Sequence, residues 1–294
     1  QKNGQFLNYI NQQKAFTQQN YTTNLADSNG RAIWALGYLT SLKSILPEGI
    51  IEQAEQIFAK ALVHIEEVYS TRAMAFIIKG LYYRNAHISS KNERILIELF
   101  ADRLVKMYQH ESDADWNWFE SYLTYANSII PEALACAWNI TSNIEYKLIS
   151  KKSFDFLLNK IFINGNIQVI SNKNWLHKDT DETPINSGGE QPIDVAYTII
   201  ALEKYWEFFG DNSYKEKLTQ AFNWFLGDNH LHQIIYNPCT GGCYDGLEDS
   251  YVNLNQGAES TISYLLARLS YEQVCKSQPL LQKYRLEKIK ENEN

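Results

Sequence analysis

The chain has no long apolar run, no excess of basic residues and few cysteines, and each absence removes a class of function. A membrane-spanning helix needs about 18–20 consecutive apolar residues, and none of the 294 positions begins such a run. The formal net charge is −7, from 27 Lys and Arg against 34 Asp and Glu. A nucleic-acid partner calls for a basic surface, so that class is set aside. No glycine-rich phosphate loop, His-Glu-x-x-His or Gly-x-Ser-x-Gly motif is present. The 6 histidines do not gather in sequence except His230 and His232, which read as surface residues on a turn. Neither a metal nor a cofactor is expected. Of the 4 cysteines, Cys136 lies in an apolar helical pattern and Cys275 at a helix end, both as inert or buried thiols. Cys239 and Cys243 flank Thr-Gly-Gly, where a short disulfide or a reduced pair would fit, but too few other ligands stand nearby for zinc. The overall usage favours reduced thiols and a cytoplasmic setting. The first residue is Gln1, preceded by no leader pattern, which suits either a removed signal peptide or a piece of a longer protein.

What is present is a helical period with aromatic, acidic interruptions. Hydrophobic residues make up 45% and charged residues 21%, enough for a packed core. Apolar residues recur at three- and four-residue spacing over 32–45, 50–68, 73–83, 93–108, 132–138, 144–161, 192–209, 214–225 and 258–271. Residues 279–291 read as a charged terminal helix and 1–16 as a further one. Short links at 46–49, 85–92, 139–143 and 210–212 make neighbouring helices antiparallel. The links between these pairs, 17–31, 110–130, 163–191 and 229–257, are long and hold most of the Trp and acidic residues outside helices. Short loops at one end and long ones at the other predict an all-α (α/α)6 toroid. A single domain is expected over 1–294, with at most a small β-hairpin within 163–175 turning at Asn-Gly-Asn. An open α-solenoid would need a fixed repeat period, and the hairpin starts are irregular.

Four loop-to-helix junctions carry the candidate chemistry. Residues 115–127 pack acids and amides among Trp116, Trp118, Phe119, Tyr122 and Tyr125. A sugar ring offers an apolar C–H face to stack and hydroxyls to bind, although an aromatic plug for the core would have a similar composition. Glu120 beside those rings would be partly desolvated, which pushes a carboxyl toward general-acid range. At 25–32, Asp27 and Ser28 read as helix N-caps and Arg31 as a ligand for a carboxylate or sugar hydroxyl. At 186–194, a Gly-Gly pair permits close backbone approach, Pro192 starts a helix, and Glu190 and Asp194, four apart, share one face if the helix begins there. At 240–260, Tyr244, Asp245, Glu248 and Asp249 precede a helix that Asn255, Gln256 and Glu259 open, a polar entry that is costly to bury without partners.

The motifs Asp-Ser-Asn-Gly-Arg-Ala, Trp-Phe-Glu-x-Tyr-Leu-Thr-Tyr-x-Asn, Gly-Gly-Glu-Gln-Pro-x-Asp and Asn-x-Asn-Gln-Gly-Ala-Glu-Ser resemble a helical domain found in bacterial proteins described as glycosyltransferases. That domain is similar to the six-hairpin glycosidase superfamily. The resemblance covers roughly residues 24–270. It implies the toroid, and it attaches the glycosyltransferase label to a neighbouring domain of a longer chain. The polar positions it carries over are Asp27, Arg31, Glu120, Tyr125, Asn127, Glu190, Asp194, Asp245, Asn255 and Glu259.

Together these readings predict a carbohydrate-active domain with a saccharide as ligand. Glycoside hydrolysis needs two carboxylates, and Glu120, Glu190 and Glu259 are the candidates. Asp27, Arg31, Trp116, Trp118, Tyr125, Asn127, Asp194, Tyr244, Asp245 and Asn255 are the candidate binding residues. The alternatives are a non-catalytic saccharide-binding or scaffold module of a glycosyltransferase, and a sugar epimerase or isomerase. The last ranks lowest because no histidine stands at a helix entry.

Overall fold

Polar residues at helix starts and a left-handed glycine at one helix end divide the chain into ten α-helices among the described residues, which are 4–63, 65–85, 90–179 and 188–276 of the computed structural model. In order they are α1 (Gln19–Thr22), α2 (Ala26–Thr40), α3 (Glu48–Ala61), α4 (Thr71–Asn85), α5 (Lys91–Glu111), α6 (Ile129–Thr141), α7 (Ile144–Ile161), α8 (Pro192–Phe209), α9 (Asn212–Asn223) and α10 (Ala258–Lys276). The Ser90-x-x-Glu93 pattern caps α5, with Ser90 Oγ accepting the Glu93 N–H. Asp211 caps α9 through Ser213 N at 2.9 Å, Pro192 opens α8, and left-handed Gly210 closes it. Each expected helix among the described residues forms at least in part, that over 32–45 ending at Thr40 and that over 50–68 at Ala61, except that over 1–16. Residues 4–16 are irregular instead, turning at 12–14 between the bridge partners Ile10 and Phe16. Their backbone polarity is met by side-chain amides rather than by a helix: Asn20 accepts from Asn8 and Tyr9, and Asn29 from Phe6, each at 2.8 Å. The expected helix over 279–291 lies outside the described residues, as do His64, His87, Asn186 and Ser187.

The helices fall into two compact units, residues 1–121 with 129–156, and residues 122–128 with 157–294. In the first unit α4 is buried on all sides from Thr71 to Leu81 and is flanked by α2 and α6. Glycine permits the α2–α4 approach, since a Cβ on Gly37 would stand 2.1 Å from the Gly80 carbonyl oxygen. A buried ion pair joins α4 to α6: Lys79 Nζ lies 2.7 Å from Glu132 Oε2, both side chains fully enclosed, with the ammonium 4.0 Å above the Trp34 ring. In the second unit α8 is buried from Pro192 to Tyr205 and packs against α9 and α10.

Strand structure is slight but exceeds the single hairpin expected. Three antiparallel two-residue pairs form: β1 (Tyr122–Leu123) with β4 (Leu176–His177), β2 (Phe162–Ile163) with β3 (Asn166–Ile167), and β5 (Gly246–Leu247) with β6 (Val252–Asn253). The β2–β3 hairpin turns at Asn164-Gly165, where positive φ at both residues suits the twist of tight hairpins. The other two pairs join residues too far apart in polarity or in sequence to leave a periodic signal. No helix among the described residues is long and apolar enough to cross a membrane.

Candidate functional site

The first unit gathers Asp27 and Glu120 at the entry of α4, but as structural partners. Helix α2 starts one residue before Asp27, with Leu25 at the cap position and Asn24 Oδ1 accepting Ala26 N. Asp27 and Ser28 are therefore inside the first turn rather than caps. Three consecutive residues at the start of α4 then close the junction. Ser70 Oγ donates to Asp27 Oδ1 at 2.7 Å, Thr71 Oγ1 donates to Glu120 Oε1 at 2.8 Å, and Arg72 Nη1 donates to both Glu120 oxygens at 3.2 and 2.9 Å. A hydroxyl and a guanidinium thus engage both oxygens of Glu120. The Arg31 guanidinium lies 4.9 Å from the Phe76 ring centroid, a cation–π contact.

The expected stacking platforms are core residues. Trp118 is fully buried and Trp116 is 5% exposed. Trp116 packs edge-on to Phe156 at 5.1 Å and donates Nε1–H to the Glu120 carbonyl at 2.8 Å. Asp113 Oδ1 holds the backbone N–H groups of Asp115 and Trp116, folding the segment inward. Composition could not distinguish a ring that stacks on sugar from one that stacks on Phe156.

The second unit contains Asn127, Asp194 and half-buried Tyr125. Asn127 closes a turn on Thr124, accepting its N–H at 3.0 Å and donating to its carbonyl at 2.7 Å. Between them Ala126 has φ +50, a left-handed conformation costing of order 1–2 kcal/mol outside glycine. Its N–H donates to buried Asp194 Oδ1 at the start of α8, and that charge-assisted bond offsets the strain. Asn127 and Asp194 thus hold a loop.

A cleft of about 340 Å³ opens elsewhere in the second unit, lined by Asn172, Glu190, Asp245, Glu248, Asn253 and Glu259 among others. Its floor is Glu190, 3% exposed. The Glu190 backbone bridges to Leu247 in both directions, at 3.0 and 2.9 Å. Trp224 Nε1 donates to Oε2 at 3.0 Å. His230 Nδ1 stands 3.1 Å from Oε1, an ion-pair contact rather than a well-aligned hydrogen bond. The other ring nitrogen of His230 donates to the Glu248 carbonyl at 2.8 Å. The Glu190 carboxylate raises the His230 pKa, partial burial opposes it, and the Glu248 carbonyl adds to the rise. The ring thus lies between the Glu190 carboxylate and the Glu248 carbonyl, an arrangement that favours its protonated form. The expectation that His230 is a surface residue is thus corrected. Its contact with Glu190 spans 40 positions of unrelated sequence and left no signal; His232 is exposed.

The cleft rim depends on the Gly-Gly pair. Gly188 and Gly189 have φ +68 and +73, and a Cβ on Gly188 would meet Asp249 N at 2.3 Å. The close approach expected of these glycines is therefore to the neighbouring loop of the protein. Gly189 N donates to Glu248 Oε2, which also pairs with Lys173. Asp245 ties the entry of α10, accepting from Gly257 N and Ser260 Oγ, each at 2.7 Å, and from Asn255 Nδ2. Burial alone would raise its pKa, but these donors outweigh it and hold the carboxyl below its usual range. Asp245 and Asn255 are thus bound to each other. Tyr244 accepts a bond from Asn237 Nδ2 at 3.0 Å. Glu259 is exposed on the cleft in the first turn of α10 and engages no partner among the described residues.

None of the four cysteines forms a disulfide. Burial, then the nearby Asp245 charge, pushes the Cys243 thiol up to about 12, whereas Cys239 and Cys275 are exposed. Of the two readings given for Cys275, burial does not hold. Among the described residues no three His, Cys, Asp or Glu side chains stand together as a metal site would require.

No family model matches this sequence, and no curated protein does. Solved structures do match. An unsaturated glucuronyl hydrolase specific for heparin aligns with TM-score 0.60 at 13% identity, over 94% of this chain and 93% of that one. A sugar epimerase from a ruminal bacterium aligns with TM-score 0.62 at 11% identity, over 96% and 80%. Cellobiose 2-epimerase from Bacillus thermoamylovorans aligns with TM-score 0.63 at 11% identity, over 86% and 72%. At such identities the likeness speaks to architecture, and the chain has the all-α fold of the six-hairpin, (α/α)6 glycosidase-like enzymes.

Proposed function

We propose that this chain is a carbohydrate-active domain and that the cleft of its second unit handles a saccharide, with glycoside hydrolysis as the reaction. The observation that carries this reading is that Glu190 and Glu259 line the same cleft in contrasting settings. Glu190 is buried and held by Trp224 and His230, while Glu259 is exposed and unengaged. Hydrolysis of a glycoside needs one carboxyl to protonate the leaving oxygen and a second to activate water or attack the sugar. Glu259, exposed on the cleft and unengaged, takes the role of proton donor in this proposal. Glu190, fixed by Trp224 and His230, is suited to orienting water or stabilising positive charge on the sugar. Glu120 is left out of the proposed pair because Arg72 and Thr71 engage its oxygens. The fold is shared with enzymes named as a hydrolase, epimerases and an isomerase, all acting on sugars. An epimerase or isomerase would use a free imidazole as base, and both nitrogens of His230 are occupied.

One observation favours the non-catalytic alternative. Asp27, Glu120, Asp194 and Asp245 all spend their oxygens inside the protein, as a saccharide-binding or scaffold module serving a glycosyltransferase would allow. Turnover separates the two. Glu259→Gln keeps the shape of the side chain and removes its proton. On a glycoside that the wild type cleaves, we expect roughly a 10²–10⁴-fold drop in kcat with unchanged thermal stability. Wild-type protein that binds a glycan yet leaves it intact from acidic to neutral pH would replace hydrolysis with the module reading.

A further inference from the structure

Trp116 and Trp118 are enclosed, but one indole of the second unit is not. Trp175 is 49% exposed. Single exposed apolar side chains are ordinary; Trp175 differs in being fixed. Its ring stacks on Tyr122 at 5.7 Å and 28°. The loop that carries it is anchored on both sides. Asn172 N donates to Gly189 O at 3.0 Å before it, and Leu176 pairs with Leu123 after it. An aromatic face ordered before binding loses little entropy when a ligand lands on it. Asn172 lines the cleft, and three residues of chain place Trp175 within about 11 Å of it.

The charge of the cleft narrows the ligand. Its wall carries Glu190, Asp245, Glu248 and Glu259. The cations beside them, His230 and Lys173, are already matched to Glu190 and Glu248. An anionic sugar would therefore meet carboxylates without a counter-charge. The volume of about 340 Å³ is at the low end for small-molecule sites, so a saccharide of several units must extend over the rim.

We propose that the second-unit cleft takes a neutral oligosaccharide, one ring of which lies on Trp175. This rests on the saccharide reading above. The test is calorimetric and fluorescence titration of the wild type, Trp175→Ala and Trp175→Phe with neutral gluco- and manno-oligosaccharides of two to six units, and with a heparin-derived unsaturated disaccharide. Circular dichroism confirms that each variant is folded. A neutral oligosaccharide should bind the wild type with a change in Trp emission, and the heparin disaccharide should bind at least 10-fold more weakly. Trp175→Ala should lose roughly 10- to 30-fold in affinity for that oligosaccharide. Trp175→Phe, which keeps a ring, should recover most of the affinity without the emission change. If Trp175→Ala fails to fold, loss of the emission change in Trp175→Phe with binding retained carries the same support. Binding by the wild type that neither variant alters, in affinity or emission, overturns the platform and leaves the saccharide reading intact. Tighter binding of the heparin disaccharide overturns the neutral ligand. A folded wild type that binds nothing in the panel overturns both readings.

Discussion

The two acidic regions of this molecule look alike in sequence and do different work. In the first unit Asp27 and Glu120 stand at helix entries, and each is taken by a residue at the start of α4. In the second unit Glu190 is also held, but it floors an open cleft that unengaged Glu259 shares. The difference is the supply of partners. Ser70, Thr71 and Arg72 sit side by side and supply donors to the first junction, whereas α10 opens with Glu259 facing no cation. A carboxylate at a helix N-terminus is favoured by the helix dipole in either case, so position alone does not mark function.

The comparison would break most visibly at Lys79. If the charges of the first unit are structural, Lys79→Met leaves Glu132 buried without its partner and should cost about 3–5 kcal/mol in chemical denaturation. The double variant with Glu132→Leu should recover most of that loss. A single variant as stable as the wild type would show that the pair is dispensable. Glu120→Gln is the next largest effect. Weakening its bonds to Arg72 and Thr71 should cost about 1.5–3 kcal/mol, with any saccharide turnover per folded molecule unchanged. The opposite result, stability kept and turnover lost, would move the acid to the first unit.

The smallest effect is a pH dependence that sharpens the view of the second unit. The pKa of His230 is raised in the folded state, chiefly by Glu190. Its contribution to stability is therefore complete below the unfolded value near about 6.5 and is lost as pH rises through the folded value. The wild type should lose melting temperature on going from mildly acidic to mildly basic pH more than His230→Gln does. Parallel curves for the two proteins would mean that the imidazole carries no charge against Glu190.

The sequence by itself determined the helices and the architecture. Periodicity, Pro192, the Ser90-x-x-Glu93 cap and the glycines at 188–189 are local instructions, and a helix or a tight turn is closed by residues a few positions apart. The same locality made the acidic junctions visible. It could not say which acids are spent. The Glu120–Arg72 pair, the Glu190–Trp224–His230 cluster and the burial of Trp118 link residues far apart in sequence, and nothing in a one-dimensional pattern records which partners arrive. The short β1–β4 pair that presents Trp175 joins positions 122–123 to 176–177 and was equally silent. Hydrogen bonds and ion pairs act over a few ångströms in space, so only the tertiary structure decided which carboxylates were consumed and which was left facing the cleft.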